Sequence, residues 1–493
     1  MPASAVPTVR DALRSPRILR TEVLAGLVVA LALIPEAISF SVIAGVDPRV
    51  GLFASTTMAV TIAVVGGRPA MISAATGAVA LVVAPVVREH GLDYLVATVL
   101  LAGVLQIVFG LAGFARLMRF VPRSVMVGFV NALAVLIFVA QLPNLIDVPW
   151  AVYPLAVGGL AVIVLLPRLT TAVPAPLVAI VLVTVLTVVA GLSVPTVGDQ
   201  GALPDSLPTL FAPDVPLTFE TLRIIGPYAI AMALVGLMES MMTATLVDEV
   251  TGSRSDKRRE ACGQGIANLV TGAFGGMGGC AMIGQTMINT KQSGARTRIS
   301  TFLAGTFLLV LVVALGDVVA VIPMAALVAV MVMVSVGTFD WHSVRPTTLR
   351  RMPRSETAVM LVTVAVTIAT HNLAWGVGVG VVTASVLFAV RVSHHTGVER
   401  MPDEPDGAHV YRLSGALFFA SANQLTHEFQ YDEAPARVVL DLAHAQLWDA
   451  TTVAALDAIE ARFADRGARV ELVGLDAAST ARHERLSGHL PSA

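Results

Sequence analysis

Between residues 22 and 391 the chain is a succession of apolar runs. Most approach the ~20 residues that an α-helix needs to cross a bilayer. They fall at 22–44, 50–66, 71–88, 94–115, 122–143, 150–167, 176–192, 223–247, 261–276, 280–292, 299–316, 318–336, 355–371 and 373–391. Fourteen such segments predict an α-helical polytopic membrane protein. Composition agrees: 56% of the 493 residues are apolar and 13% are charged, against about 25% charged in an ordinary soluble domain. A soluble chain this apolar could not cover its own surface.

The cations fix an orientation. With both termini in the cytoplasm, the inner segments up to Arg354 carry twenty Lys and Arg, including Arg10, Arg68, Arg116, Arg119, Arg123, Lys257, Arg296 and Arg350. The outer loops carry three, Arg49, Arg88 and Arg223, and the longest outer loop, 193–222, is acidic. This is the positive-inside pattern, and a count wrong by one span would scramble it. The basic, polar segment 1–21 has no cleavable signal pattern, so the first span is expected to act as the insertion signal.

Near residue 392 the texture changes. A linker is expected over 392–407 and a small cytoplasmic α/β domain over 408–493, where "HVYRLSGALFFAS", "ARVVLDLAHA" and "ARVELVGLD" read as strands. "DATTVAALDAIEARFADRG" reads as a helix with Asp449 as its N-cap and Gly467 as its stop.

Seven spans before the acidic loop (22–192) and seven after it (223–391) suggest a repeat. An odd number of spans per repeat forces the two halves to be inverted, as in many secondary transporters. The third segment of each half is poor span material in its first part. "GRPAMISAATGAVALVV" (67–83) and "GGMGGCAMIGQTMINTK" (275–291) both begin rich in glycine and become helical later. Broken backbone at membrane depth is tolerated only when it is buried in protein or lines a cavity. Two helices starting near the midplane, at about Thr76 and Gln285, would each present unpaired N–H groups and roughly half a positive charge. Such a pair of ends makes an anion site without a cationic side chain. Gly77 and Gly284 would let the ligand approach the backbone.

The first span of each half carries an acid: Glu36 in "LALIPEAISFSV" and Glu239 in "MALVGLMESMMTAT", with Thr243 one turn after Glu239. An acid at the bilayer centre costs about 2.5–3.5 kcal/mol on insertion scales, which favours a functional reading. Placed beside an anion site, a carboxyl that takes up a proton stops repelling the substrate, so proton and anion favour each other's binding. The alternative is a structural acid bonded to backbone. Gln106, Asn131, Gln141 and Asn268 are expected to be interhelical hydrogen bonders, and "GVGVG" at 376–380 a packing stripe.

Several classes are excluded. Cys262 and Cys280 form no CxxC or Cys/His cluster, so neither a disulfide framework nor a metal site is expected. No nucleophile–base pair, Walker motif or dinucleotide fingerprint is visible, so neither enzyme activity nor a cofactor is expected. A net charge of −2 gives nucleic acid no basic surface.

At these residues the chain resembles the SulP (sulfate permease) family of anion transporters, bacterial relatives of the vertebrate multifunctional anion exchangers and prestin. "GLVVALALIPEAISFSVIAGVDPRVGLFAS" resembles the family signature of the first span, and "GGRPAMISAATG" and "SGARTR" resemble its third segment and the end of its tenth. "LSGALFFAS", "VVLDL" and "DATTVAALDAIEARF" resemble a STAS domain. The resemblance implies a uracil-transporter-like fold, in which a core of spans 1–4 and 8–11 moves against a gate of spans 5–7 and 12–14. It also implies a homodimer in the bacterial cytoplasmic membrane. Carried over by position, Phe40 walls the anion pocket, Thr76 and Gly77 open segment 3, and Ile283, Gly284 and Gln285 open segment 10. Glu239 and Thr243 stand at the coupling-ion position of sodium-coupled bicarbonate members.

Two departures bear on coupling. The family usually has Gln where this chain has Glu36, and its vertebrate members have Arg near the start of segment 10, where Gln285 and Thr286 stand here. An added acid and a missing Arg suit a co-transported proton better than sodium or chloride exchange. The expected function is therefore proton-coupled symport of a small anion, a fumarate-like dicarboxylate or sulfate, by an elevator-like movement. The alternatives are sodium-coupled bicarbonate transport, an uncoupled exchanger or channel, and a membrane-anchored sensor with the STAS domain as output.

Overall fold

The computed structural model describes residues 7–113, 121–169, 175–204, 206–402, 407–433 and 436–489. Arg116 and Arg119, used above for orientation, lie outside the described residues. The chain divides into two compact units, residues 1–381 and 382–493.

Each of the fourteen apolar segments contains a helix. Among the described residues, seven helices are long and apolar enough to cross a membrane, including Pro16–Ala44, Gly77–Leu111 and Phe219–Thr251. Segments 3 and 4 correspond to two helical stretches that meet within Gly77–Leu111 at a kink, where Gly91 leaves helical geometry with φ +83°. Glycine adopts that angle at no steric cost, so the chain turns there without a loop.

The helices of the first unit pack in two sets. Those of residues 16–111, 219–273 and 298–314 pack on one another, and so do those of residues 123–189 and 324–370. Pro16–Ala44 touches Met324–Thr338 across the sets. Within the first set, small residues allow backbones to meet. A Cβ on Gly103 would lie 2.8 Å from the Gly265 carbonyl oxygen, and one on Gly265 would lie 2.6 Å from that of Gly103. Such crossings draw their stability from close van der Waals contact, since lipid supplies no hydrophobic drive between helices. Polar side chains add specificity: Asn268 Nδ2 donates to Gln106 Oε1 at 2.9 Å, and Asn131 Nδ2 donates to Ser343 Oγ at 2.9 Å. The glycines at 376 and 380 lie directly against Thr367 and Thr363, a packing role.

Among the described residues, two further carboxylates are buried, beyond the pair singled out from the sequence. Glu22 accepts from the backbone N–H groups of Arg296 (2.7 Å), Thr297 (3.0 Å) and Ser300 (3.1 Å), and so caps the helix Arg298–Ala314. Glu260 accepts from the N–H groups of Gly67 (2.7 Å) and Arg68 (2.9 Å) and from Gln264 Nε2 (2.8 Å). Both satisfy backbone donors left over at chain breaks, which is a structural use of an acid.

The second unit carries a four-stranded sheet in the order β3 (Gly397–Arg400), β4 (His409–Leu417), β5 (Arg437–Leu447), β6 (Arg469–Val473). β3 and β4 are antiparallel; β4–β5 and β5–β6 are parallel. β3 lies within the stretch read as linker. Leu440, Leu442, Leu456, Ile459 and Phe463 belong to this unit's own apolar core. Asp449 caps the helix Ala450–Ala464 by accepting from Thr452 N at 3.0 Å, and also accepts from Phe419 N at 2.7 Å.

Candidate functional site

The two glycine-rich half-segments meet. Ser73–Ala74 (β1) and Cys280–Ala281 (β2) form an antiparallel ladder of two residues per strand, with Ser73 opposite Ala281 and Ala74 opposite Cys280. Met282 N donates to Ile72 O at 2.9 Å, and Thr286 Oγ1 accepts from Ile72 N at 3.0 Å. Gly279 is held by Asn268 on both sides: its N–H donates to Asn268 Oδ1 at 2.9 Å and its carbonyl accepts from Asn268 Nδ2 at 3.0 Å. The interrupted backbone is thus paired within protein, as burial away from water requires.

From this ladder two helices leave. One starts at Gly77, with Thr76 as N-cap accepting from Val79 N at 3.3 Å. The other starts at Ile283 and runs as an α-turn to Met287, then as a π-turn over Ile288–Gln292. The π-turn coincides with Asn289, whose Nδ2 donates to Ala70 O at 2.8 Å and to Ser300 Oγ at 3.0 Å. Because the strands are antiparallel, the helices depart in opposite senses and their amino ends share one place. The N–H groups of Gly77 and Ala78, and those of Ile283, Gly284 and Gln285, have no intrahelical partner there.

The candidate side chains are distributed around this point. Phe40 packs on Gly77, where a Cβ would lie 2.9 Å from Phe40 Cε1 and 3.1 Å from Ile137 Cδ1. Gly284 faces open space, since nothing lies within 4 Å of a Cβ built there. Glu36, 9% exposed, lies beside the Gln285 side chain. Glu36 follows Pro35, whose carbonyl accepts from Ser39 Oγ at 2.8 Å. Glu239, 8% exposed, accepts from Cys280 Sγ at 3.0 Å. Thr243 Oγ1 donates to Glu239 O at 2.8 Å and lies 3.5 Å from Ala281 O. Among the described residues, no Lys or Arg forms an ion pair with Glu36 or Glu239. Ile283 also lines a cavity of about 560 Å³, whose wall includes Met126, Val130, Met241 and Met242, with Arg123 and Lys257 opposite in charge to Glu249 and Asp340.

Three residues at the site went unassigned in the sequence. Cys280 Sγ lies 3.2 Å from Thr76 Oγ1 as well as 3.0 Å from Glu239 Oε2. Ser240 Oγ accepts from Ala281 N at 3.1 Å, and Ser55 Oγ accepts from Ala75 N at 3.2 Å. Each meets a partner at least 20 residues away, which no local spacing announces.

Two helix starts and two buried acids thus come together, and among the described residues neither acid has an ion-paired Lys or Arg. Residues 19–154 and 144–363 match the sulfate permease family, and residues 400–488 match the STAS domain. The chain belongs to the sulfate permease family. This permease is 53% identical to "Putative sulfate transporter YbaR" of Bacillus subtilis (strain 168), over 94% of this chain and 95% of that one. It is 27% identical to "Bicarbonate transporter BicA" of Picosynechococcus sp. (strain ATCC 27264 / PCC 7002 / PR-6), over 95% and 91%. Its fold matches that of the murine Solute Carrier 26 family member A9 anion transporter in the inward-facing state, with a TM-score of 0.82 at 16% identity over 96% of this chain and 88% of that one. The fold resemblance expected from the sequence therefore holds: a helical permease domain followed by a STAS domain with its own sheet.

Proposed function

We propose that this anion transporter of the sulfate permease family is a proton-coupled symporter of a small dianion, a fumarate-like dicarboxylate or sulfate. Its anion would be held by the N–H groups at the starts of the two half-helices, with Phe40 as a wall and Thr76, Gly77, Ile283, Gly284 and Gln285 as the cradle. The observation that carries the reading is the pair of buried carboxyls, Glu36 and Glu239, placed beside those helix starts without a cationic partner. A buried carboxylate with no counter-charge is costly, and a proton or a bound cation relieves that cost. Since the substrate is itself negative, the same proton also removes repulsion at the site, which is coupling.

The two helix sets support an elevator-like movement of the set holding the half-helices against the other. The cavity reaching Ile283 would be the inward route, with both termini and the 254–259 basic turn on the cytoplasmic side. A homodimer completes the reading.

The test is uptake by proteoliposomes of radiolabelled sulfate, fumarate and bicarbonate. An inward proton gradient should drive accumulation of one of the dianions, and Glu36→Gln should abolish that drive. Uptake that follows membrane voltage alone, or that requires sodium, rejects proton symport.

A further inference from the structure

The buried thiol of Cys280 lies between the anion cradle and one of the two acids. Its sulfur is 3.2 Å from Thr76 Oγ1 and 3.0 Å from Glu239 Oε2. Thr76 Oγ1 in turn accepts from Val79 N at 3.3 Å, at the first turn of the half-helix. Cys280 is 0% exposed and Thr76 2% exposed, so water does not share these contacts. The carboxyl, the sulfur and the hydroxyl form a single file, with the sulfur between the other two and the hydroxyl between the sulfur and Val79 N.

Such a file has a direction, and the carboxyl sets it. An ionised carboxylate only accepts. With Glu239 ionised, the Cys280 S–H must donate to it, the sulfur accepts from the Thr76 O–H, and the Thr76 proton is committed. With Glu239 protonated, its O–H can donate to the sulfur, the S–H can donate to Thr76 Oγ1, and the Thr76 O–H is released. The released hydroxyl sits at the N-cap, beside the unpaired N–H groups of Gly77 and Ala78, where it can donate to an anion. One O–H bond forms as the co-transported proton adds to the Glu239 carboxylate; the Cys280 S–H and Thr76 O–H bonds stay intact, and two hydrogen bonds reverse.

We propose that Cys280 is a positioning residue for coupled transport, passing the protonation state of Glu239 to the Thr76 hydroxyl so that a proton on the acid turns a donor toward the anion. This rests on the reading of Glu239 as the coupling group, and it adds the physical link between that group and the substrate.

The surroundings leave the file to itself. The helices Gly77–Leu111, Lys257–Ala273 and Ile283–Met287 and the strand β2 pack against the helix carrying Glu239. Of their titratable groups, Cys280 is the one in contact with Glu239. Gln106, Asn268 and Gln285 are neutral, and Glu36 lies by Gln285. Asp248, paired with Arg68 and Lys257, lies nine residues along the helix, about 13 Å away in axial rise. Glu260 is taken up by Gly67 and Arg68, Lys291 is exposed, and Glu89 lies by Tyr228 toward the other end.

A readout that needs no transport separates this proposal from the symport reading. In full-length protein in liposomes, Cys262→Ala leaves Cys280 as the one thiol, so the infrared S–H stretching band belongs to it. Lowering the pH from roughly 8 to 5 should shift that band as the hydrogen bond to Glu239 reverses, and adding Glu239→Gln should hold it still. A band that stays fixed over that range in the presence of Glu239 overturns the relay. Uptake of radiolabelled sulfate and fumarate gives the second arm. Cys280→Ser should keep the fall of KM with falling pH, up to about tenfold per unit for one coupled proton, whereas Cys280→Ala should reduce it to less than about twofold. An undiminished pH dependence in Cys280→Ala also overturns the relay. Uptake by the unsubstituted protein that ignores a proton gradient, with a moving S–H band, rejects symport and keeps the link.

Discussion

Ala74 and Cys280 stand opposite each other in a ladder only two residues long on each strand, although 206 positions separate them in the chain. That pairing brings the amino ends of two half-helices to one point. It also explains why each half of the molecule contains a segment too rich in glycine to be an ordinary span. A Cβ at Gly279 would collide with the backbone of Ala74, so the crossing depends on a residue without one.

Gly77 and Gly284 should respond differently to alanine. A methyl at Gly77 would press on Phe40 and Ile137, so Gly77→Ala should lower both the unfolding temperature and uptake. A methyl at Gly284 meets nothing, so Gly284→Ala should leave the unfolding temperature unchanged. It should raise KM by roughly tenfold, the effect of about 1.4 kcal/mol, because it occupies the proposed cradle. Thermal unfolding in detergent together with uptake kinetics checks both.

The structural acids should separate from the acids proposed to couple transport, Glu36 and Glu239. Glu22→Ala would strand the N–H groups of Arg296, Thr297 and Ser300. Leaving buried donors unpaired costs about 1–3 kcal/mol, and the variant should unfold at lower temperature. Glu36→Gln keeps a hydrogen-bonding group beside Gln285 and should unfold like the unsubstituted protein, while losing proton-driven uptake.

These two kinds of acid were not distinguishable in the sequence. Glu36 and Glu239 stood out because they interrupt apolar runs. Glu22 and Glu260 sit at span edges, where a charged residue is ordinary, and their burial follows from loops folded over them. The half-helices were legible because glycine-rich stretches recur at matching places in an inverted repeat. The ladder between them was not, since two residues carry no periodicity. Cys280 shows the same limit: its neighbours in sequence are small and apolar, and its partners come from residues 76 and 239. The break at Gly91 falls between segments 3 and 4, where the polar residues Arg88, Glu89, His90 and Asp93 mark the span boundary.

In the STAS domain, Asp441 is held below the usual carboxylate range by the N–H of Ala443 and by Arg412, and Asp476 by hydrogen bonds from Ser479. A depressed folded value means that the stabilisation is present at neutral pH and is lost as pH falls through the carboxylate range. Amide exchange in β4 and β5, corrected for intrinsic rates, should therefore quicken below roughly pH 4, and Arg412→Ala should lessen that acid dependence.

Asp449→Ala removes the acceptor for Thr452 N and Phe419 N. Loss of such a cap costs about 1 kcal/mol. Faster amide exchange over residues 450–464 should report it, with uptake by the permease domain as the companion measurement.

The most direct measurement is anomalous diffraction from crystals of the protein grown with selenate, a heavier dianion of sulfate shape. The selenium peak is expected between the two half-helix starts, with oxygens about 3 Å from backbone nitrogens of Gly77 or Ala78 on one side and Gly284 or Gln285 on the other. An ordered peak against Arg123 and Lys257 in the cavity, with none at the helix starts, would contradict an anion held by the two half-helices.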